Sequence, residues 1–367
     1  MIAKSTFENI ISEHYNRPDV RAVILRFAEP EEGFRGLNGD NGWYVTLPKG
    51  EVRLRTAEDY DNTVARFRSL YATLDVLGSH VKQISKKWEA KGNPVEPIGT
   101  LEDCMGYTLS VDIDSIDGPN GENITNSQKI KAAVEAAGQF FVNYLRDNGI
   151  SKSVYCLYSG GGIYVHLHHA LFTPPDDWNP EDRGSAFRSL TDAFNGLITQ
   201  VEEEFFKAHP EHQGQVKFDK INNQKRKFKC IFSVHKTHDL AVIPLNPSNI
   251  KIDIERAKLP VADEILREGE EWYTSYDSEE ALKLQTLIAQ YMVDEQPGPE
   301  RNIEQGGLIE VQSIYKHDPA LLREEFPPCM KNIIETVKTG LGPHRALAVL
   351  ASFLYTAGWS REEAFYF

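Results

Sequence analysis

The segment SVYCLYSGGGIYVHLHHALF, residues 153–172, constrains the fold of this chain more tightly than any other. Two runs rich in β-branched, aromatic and other apolar residues flank Gly160, Gly161 and Gly162. Glycine tolerates the backbone angles of a tight reversal, so the pattern predicts strands at 153–159 and 163–172 folded into an antiparallel hairpin. Side chains alternate across a strand. Tyr164, His166 and His168 therefore share one face, and Ile163, Val165 and Leu167 share the other. The apolar face calls for a covering layer. The polar face reads as solvent-facing, with at least one of the two histidines simply exposed.

The surrounding pattern supplies helices. Ile130, Val134, Ala137, Phe141 and Tyr144 recur at three- and four-residue spacing, with Ser127 as a cap and Gly149 as a stop. Phe187, Leu190, Phe194, Leu197, Val201 and Phe205 mark a second long helix over 185–208. Strands are expected at YTLSVDID (107–114), at VKFD, and through KCIFSVHKTHDLAVIPL. Nearer the N-terminus the reading is a helix over 5–15, a strand at AVILRF (22–27), a turn at GLNGDNG (36–42) and a helix near 57–74. The sum is an α/β (α+β) domain with a mixed or antiparallel sheet flanked by helices, spanning 1–265. A helix near 278–293 and a linker at 295–307 fill 266–318, and a small helical unit covers 319–367.

Composition narrows the function classes. With 41% hydrophobic and 26% charged residues the chain reads as globular. The longest apolar run, Ala346 to Tyr355, is too short for a bilayer span, which needs roughly 20 residues, so a soluble, cytoplasmic protein is expected. Cys104, Cys156, Cys230 and Cys329 form no CxxC pair, and neither a structural zinc nor a disulfide framework is expected. A net charge of −14 excludes nucleic-acid binding by bulk charge. One local exception runs from Lys217 to Lys236, with seven basic residues and a single acid, Asp219.

Asp112 and Asp114 alternate along their strand, so both carboxylates face one way, with backbones about 7 Å apart. Paired carboxylates suit a hard divalent cation, which takes oxygen ligands and shares them with substrate phosphates. The glycine run offers main-chain N–H groups to a phosphate. Further on, Lys229, Phe232 and His235 fall close together, with Ser233 and His235 on one strand face, and Asp219 closes VKFD as a third acid. Cations and an imidazole beside acids are what charge developing on a transferring phosphoryl group requires.

In this order, DxD on a strand, a Ser-Gly turn leading into a histidine strand, a hydrophobic-Asp pair and the basic SVHKTHDLAVIPL segment, the chain resembles the archaeo-eukaryotic primase superfamily over roughly 95–255. The resemblance implies a DNA primase or primase-polymerase. Asp112, Asp114 and Asp219 would hold two Mg²⁺ or Mn²⁺ ions. Ser159, Gly160, His166, Arg226, Lys229, Ser233 and His235 would contact the nucleotide, with Tyr164 and His168 as alternatives to His166. Single-stranded DNA template and NTP or dNTP would be the partners, and a primase large-subunit module or a helicase is a further candidate. The segment from Phe326 resembles the start of the large-subunit iron–sulfur region, of whose four cysteines only Cys329 is present, so no complete cluster is expected. Two other readings compete. His166-Leu167-His168 is the metal motif of rolling-circle replication nucleases, and a non-catalytic DNA-binding subunit could keep the fold without the chemistry.

Overall fold

The computed structural model describes residues 4–31, 33–39, 60, 68–78, 101–174, 178–223, 226–236 and 239–291, with a few positions between Phe326 and Trp359. Two compact units are present, Met1–Asp294 and Glu295–Phe367. In the second, the Phe326 ring meets Phe353 edge-on at 4.9 Å and lies 5.8 Å from Trp359. Cys329, the 295–307 linker and most of the expected C-terminal helical unit lie outside the described residues.

The first unit opens with α1 (Lys4–Asn16) and α2 (Pro18–Ala28). The second corrects the expected strand at AVILRF. Pro18 and Asp19 suit a first helical turn, and Val20, Val23, Ile24 and Phe27 are buried at helical spacing. The β-branched run decided the sequence reading, while the longer 3.6-residue period decided the fold. Two further expectations fail nearby. Leu37–Gly39, read as part of a turn, is β1. It pairs antiparallel with β2 (Leu70–Thr73), where a helix was expected. Of the rest of that span, Tyr60, Arg68, Ser69 and Leu74 are described and the other positions lie outside the described residues.

β3 (Asp75–Leu77) pairs with β4 (Cys104–Tyr107), and the chain then enters the main sheet. β5 (Ser110–Ser115), β6 (Val154–Tyr158), β7 (Gly162–Leu167), β8 (Val216–Asp219) and β10 (Ile243–Leu245) form it in the order β10-β6-β7-β5-β8. All its pairs are antiparallel, and β6–β7 is the hairpin expected from the glycine run. Between β5 and β6 lies α3 (Gln128–Asp147), capped by the Ser127 side chain on the Ile130 N–H. Gly149, at φ 81°, follows its end. α4 (Pro180–Ala208) starts five residues before the expected 185, because Asn179 caps Asp182 N–H and Pro180 takes the first position. α3 packs on the face of Ile113 and Ile163, and Gly138 lets it approach so closely that a Cβ there would sit 3.0 Å from Ile163 Cδ1.

The opposite face carries Asp112 and Tyr164, and it is also covered. β9 (Lys227–Lys229) joins β1 and β2 in a three-stranded sheet, and the Phe228 ring stands edge-on to Tyr164 at 4.4 Å and to His166 at 5.1 Å. After β9 the chain turns instead of continuing as a strand. Phe232 adopts φ 62°, its N–H meets Val242 O, and its carbonyl accepts a 2.8 Å bond from His14 Nε2. This corrects the expected strand through 229–245. α5 (Asp263–Glu271) and α6 (Glu279–Ala289) complete the unit, with Trp272 and Tyr273 packed beside the histidines. That cover overturns the exposed-histidine expectation. His166 is 1% exposed and His168 8%.

Candidate functional site

Strand register brings the three acids together. Asp112 on β5 lies directly opposite Asp219 on β8 on one side and Tyr164 on β7 on the other. Directly paired residues point to the same face, so Asp112, Asp114 and Asp219 converge, with ligand oxygens all within 4.8 Å of one another. Val111 and Ile113 bury themselves on the α3 side, and this apolar alternation holds the acids on theirs.

The environments of the acids differ. Asp112 is buried and its Oδ1 has no hydrogen-bond partner, whereas Asp114 and Asp219 keep about a third of their side chains exposed. Burial pushes the Asp112 carboxyl well above the usual carboxylate range. Asp114 adds to the rise, and Lys229 opposes it. Lys229 Nζ donates to Ser159 O at 3.2 Å and lies 5.9 Å from the Tyr164 ring centre. Burial lowers its pKa, against the pull of Asp112 and Asp114. Arg226 acts on Asp112 as a second cation.

The turn between β6 and β7 is tied to the end of β5. Gly161 O accepts from both the N–H and the hydroxyl of Ser115, which places the turn beside Asp114. Gly160 has φ 90°, and a Cβ on it would lie 2.8 Å from His235 Cδ2. A Cβ on Gly162 would lie 2.2 Å from Ile113 O. Each position therefore needs glycine, and His235 is held against the turn. The Ser159 hydroxyl oxygen accepts the N–H of Gly162 at 3.0 Å and of Gly161 at 3.4 Å. Those two N–H groups are therefore used inside the turn, a correction to the expectation that the glycine run presents them to a phosphate.

The structure brings Lys229 and Arg226 beside the acids, with Ser159 bonded to Lys229 and His235 packed on Gly160, and sets two sequence candidates apart. The Ser233 hydroxyl is fully buried and accepts the Leu70 N–H at 2.8 Å. His166 pairs in register with Ser110, two positions along from Asp112. Because Ser110 Oγ donates its one proton to Thr108 O, His166 Nδ1 must donate to Ser110, and burial lowers the ring's pKa to about 3. His168 is sandwiched between Tyr273 at 4.5 Å and Tyr276 at 4.9 Å. Of the three alternatives on this strand, Tyr164 is the one opposite Asp112.

Lys217 is the site residue that sequence reasoning missed. It pairs in register with Asp114, and its Nζ lies 2.9 Å from Asp219 Oδ2 and 3.4 Å from Asp114 Oδ2. The signal was available in VKFD, whose two-residue period puts Lys217 and Asp219 on one face.

The donor set fits a hard divalent cation. All its ligands are carboxylate oxygens, and one is a buried oxygen without a partner. A second group of side chains able to hold a metal, His209, Glu211 and His212, follows α4, with none of the three buried. Among the described residues no helix is long and apolar enough to cross a membrane.

No protein-family model matches the chain, and no curated protein matches it. Among solved structures the chain is similar to the polymerase domain of Mycobacterium tuberculosis ligase D in complex with DNA. Identity is 15% over 77% of this chain and 92% of that one, with a TM-score of 0.38. A likeness of that size leaves the function to be argued from the carboxylates and their neighbours.

Proposed function

We propose that this chain is a metal-dependent nucleotidyltransferase of the primase-polymerase kind, adding NTP or dNTP units to a primer on single-stranded DNA. The observation that carries the reading is the buried Asp112 oxygen without a partner, gathered with Asp114 and Asp219 among Lys229 and Arg226. A buried, repelling carboxylate cluster lowers stability unless a ligand compensates it, which points to a retained function.

Asp112, Asp114 and Asp219 would hold Mg²⁺ or Mn²⁺, which supplies neutralisation of the triphosphate and of the charge that develops as pyrophosphate leaves. Lys229 and Arg226 add fixed positive charge on the Asp112 side, where a phosphate chain would lie. Lys229 is held by Ser159 O, so little reorganisation is needed when charge develops. His235, packed on Gly160, lines the same edge and can donate to a phosphate oxygen. Tyr164, directly opposite Asp112, is packed against Phe228, and Lys229 Nζ lies 5.9 Å from its ring centre.

This reading is favoured over a rolling-circle nuclease because His166 is 1% exposed and packed against Phe228 and Trp272, and His168 is stacked between tyrosines. The test is extension of a labelled primer on single-stranded DNA with Mg²⁺ or Mn²⁺, supplying NTPs and dNTPs separately. Wild type is expected to extend, and Asp112→Ala with Asp114→Ala is expected to lose at least about a thousandfold in rate, the scale of a lost electrostatic stabiliser. Extension that survives the double substitution, or a wild type that binds template without extending it, overturns the reading.

A further inference from the structure

We infer that Lys217 is a built-in counter-cation of the carboxylate cluster, which competes with the divalent ion for Asp114 and Asp219 and so sets how tightly the site binds metal. The inference rests on the carboxylate–metal reading proposed above and concerns a residue that reading does not need.

Lys217 Nζ bridges the two acids at 2.9 Å from Asp219 Oδ2 and 3.4 Å from Asp114 Oδ2, while Asp112 Oδ1 is left without a hydrogen bond. The arrangement follows from register. On β8, Lys217 stands opposite Asp114 and Asp219 opposite Asp112, so the ammonium emerges on the acid face and cannot reach the other. Its neighbour Lys220 takes a different partner, Glu202, at 3.2 Å.

An ammonium and a hard metal ion want the same oxygen lone pairs. A magnesium ion needs its carboxylate oxygens at about 2.0–2.1 Å in near-octahedral order, so an ammonium seated on the same Oδ2 atoms competes with it for their lone pairs and crowds its approach. An ion among these oxygens would also lie within a few ångströms of the ammonium charge, where repulsion is strong in a half-buried site. Metal binding therefore favours displacement of Lys217. Its side chain is able to move, because 45% of it is exposed. The cost of moving it is subtracted from metal affinity. In exchange, the metal-free protein keeps Asp114 and Asp219 partly neutralised, and the released ammonium stays within a side-chain length of any phosphate held at the metal.

The experiment measures Mn²⁺ affinity directly, by calorimetry or by the electron paramagnetic resonance of unbound Mn²⁺, with no nucleotide or DNA present. Folding of each variant is checked by thermal unfolding. Lys217→Met is expected to bind Mn²⁺ about tenfold more tightly than wild type, the effect of removing one charge–charge opposition of roughly one pKa unit's worth. Lys217→Arg, which keeps the cation, is expected to stay near wild type. Lys220→Met, which makes the same change in net charge away from the cluster, is also expected to stay near wild type. Unchanged or weaker binding in Lys217→Met, with binding still abolished by Asp112→Asn, overturns the inference and leaves the carboxylate–metal reading standing. If wild type and Lys217→Met both fail to bind Mn²⁺, or if Asp112→Asn binds it as well as wild type, the carboxylate–metal reading falls and the inference falls with it.

Discussion

The first unit holds two polar clusters built on opposite terms. At the β5–β8 corner, Asp112, Asp114 and Asp219 crowd together with an oxygen unpartnered. Beyond the start of β5 and the end of β7, polar groups are just as deeply buried and bond one another. Arg35 is fully buried, and its guanidinium donates to Phe27 O at 3.0 Å, Leu74 O at 2.8 Å and Tyr273 Oη at 3.2 Å. The Tyr273 hydroxyl also meets Thr108 Oγ1 at 2.7 Å and accepts the His169 N–H at 2.8 Å. Burial alone thus does not mark a functional group. What separates the clusters is whether the chain itself satisfies the buried polar atoms.

That contrast can be broken by mutation, because the two clusters should respond with opposite sign. Arg35→Ala removes the guanidinium that donates to Phe27 O, Leu74 O and Tyr273 Oη within a fully buried network, and a loss of about 3–5 kcal/mol in denaturant unfolding is expected. A loss below about 1 kcal/mol would erase the distinction. Tyr273→Phe removes one hydroxyl from the same network, and about 1–3 kcal/mol is expected to go, with metal binding at the acids unchanged.

Acid sharpens the picture. Burial, the largest cause in each case, lowers His14 to about 4 and His166 and His169 to about 3, from an ordinary 6.5. Each ring is neutral when folded and takes up a proton on unfolding, so the stability is complete above pH 6.5 and is lost as pH falls toward the folded values. Each histidine contributes about 1.4 kcal/mol per pH unit in that window. The pH dependence of unfolding for His14→Gln, compared with wild type, should be shallower by one histidine's share. An identical slope would show that His14 is not neutral in the fold.

The smallest effect carries the opposite sign. Asp112→Asn removes a buried, repelled carboxylate, and the metal-free protein is expected to gain about 1 kcal/mol in stability while losing Mn²⁺ binding. A destabilised Asp112→Asn would place the acid with the structural cluster.

Much of this was written in local pattern. The glycine run specified the β6–β7 hairpin, the apolar spacing from Ile130 to Phe141 specified α3, and the alternation in VDID set two acids on one face. Local pattern misled where two periods overlapped. AVILRF is β-branched enough to read as a strand, yet within Pro18–Ala28 its apolar residues have helical spacing, and burial of that face won. It also misled on HLHH, where alternation with polar side chains suggested solvent. No sequence rule announces that a small second sheet and the Trp272–Tyr273 pair will cover that side.

The sequence by itself determined which residue types the site can draw on and which share a strand face, because side-chain alternation is a property of the strand alone. Only the tertiary structure decided which strands lie side by side. It set Asp219 across from Asp112 and Lys217 across from Asp114, although 100 residues lie between β5 and β8. It also took Ser233 and His166 into bonds with Leu70 and Ser110. The physical reason is that register and cover come from burying apolar surface contributed by distant segments. A polar side chain's role depends on the partners that burial happens to leave it.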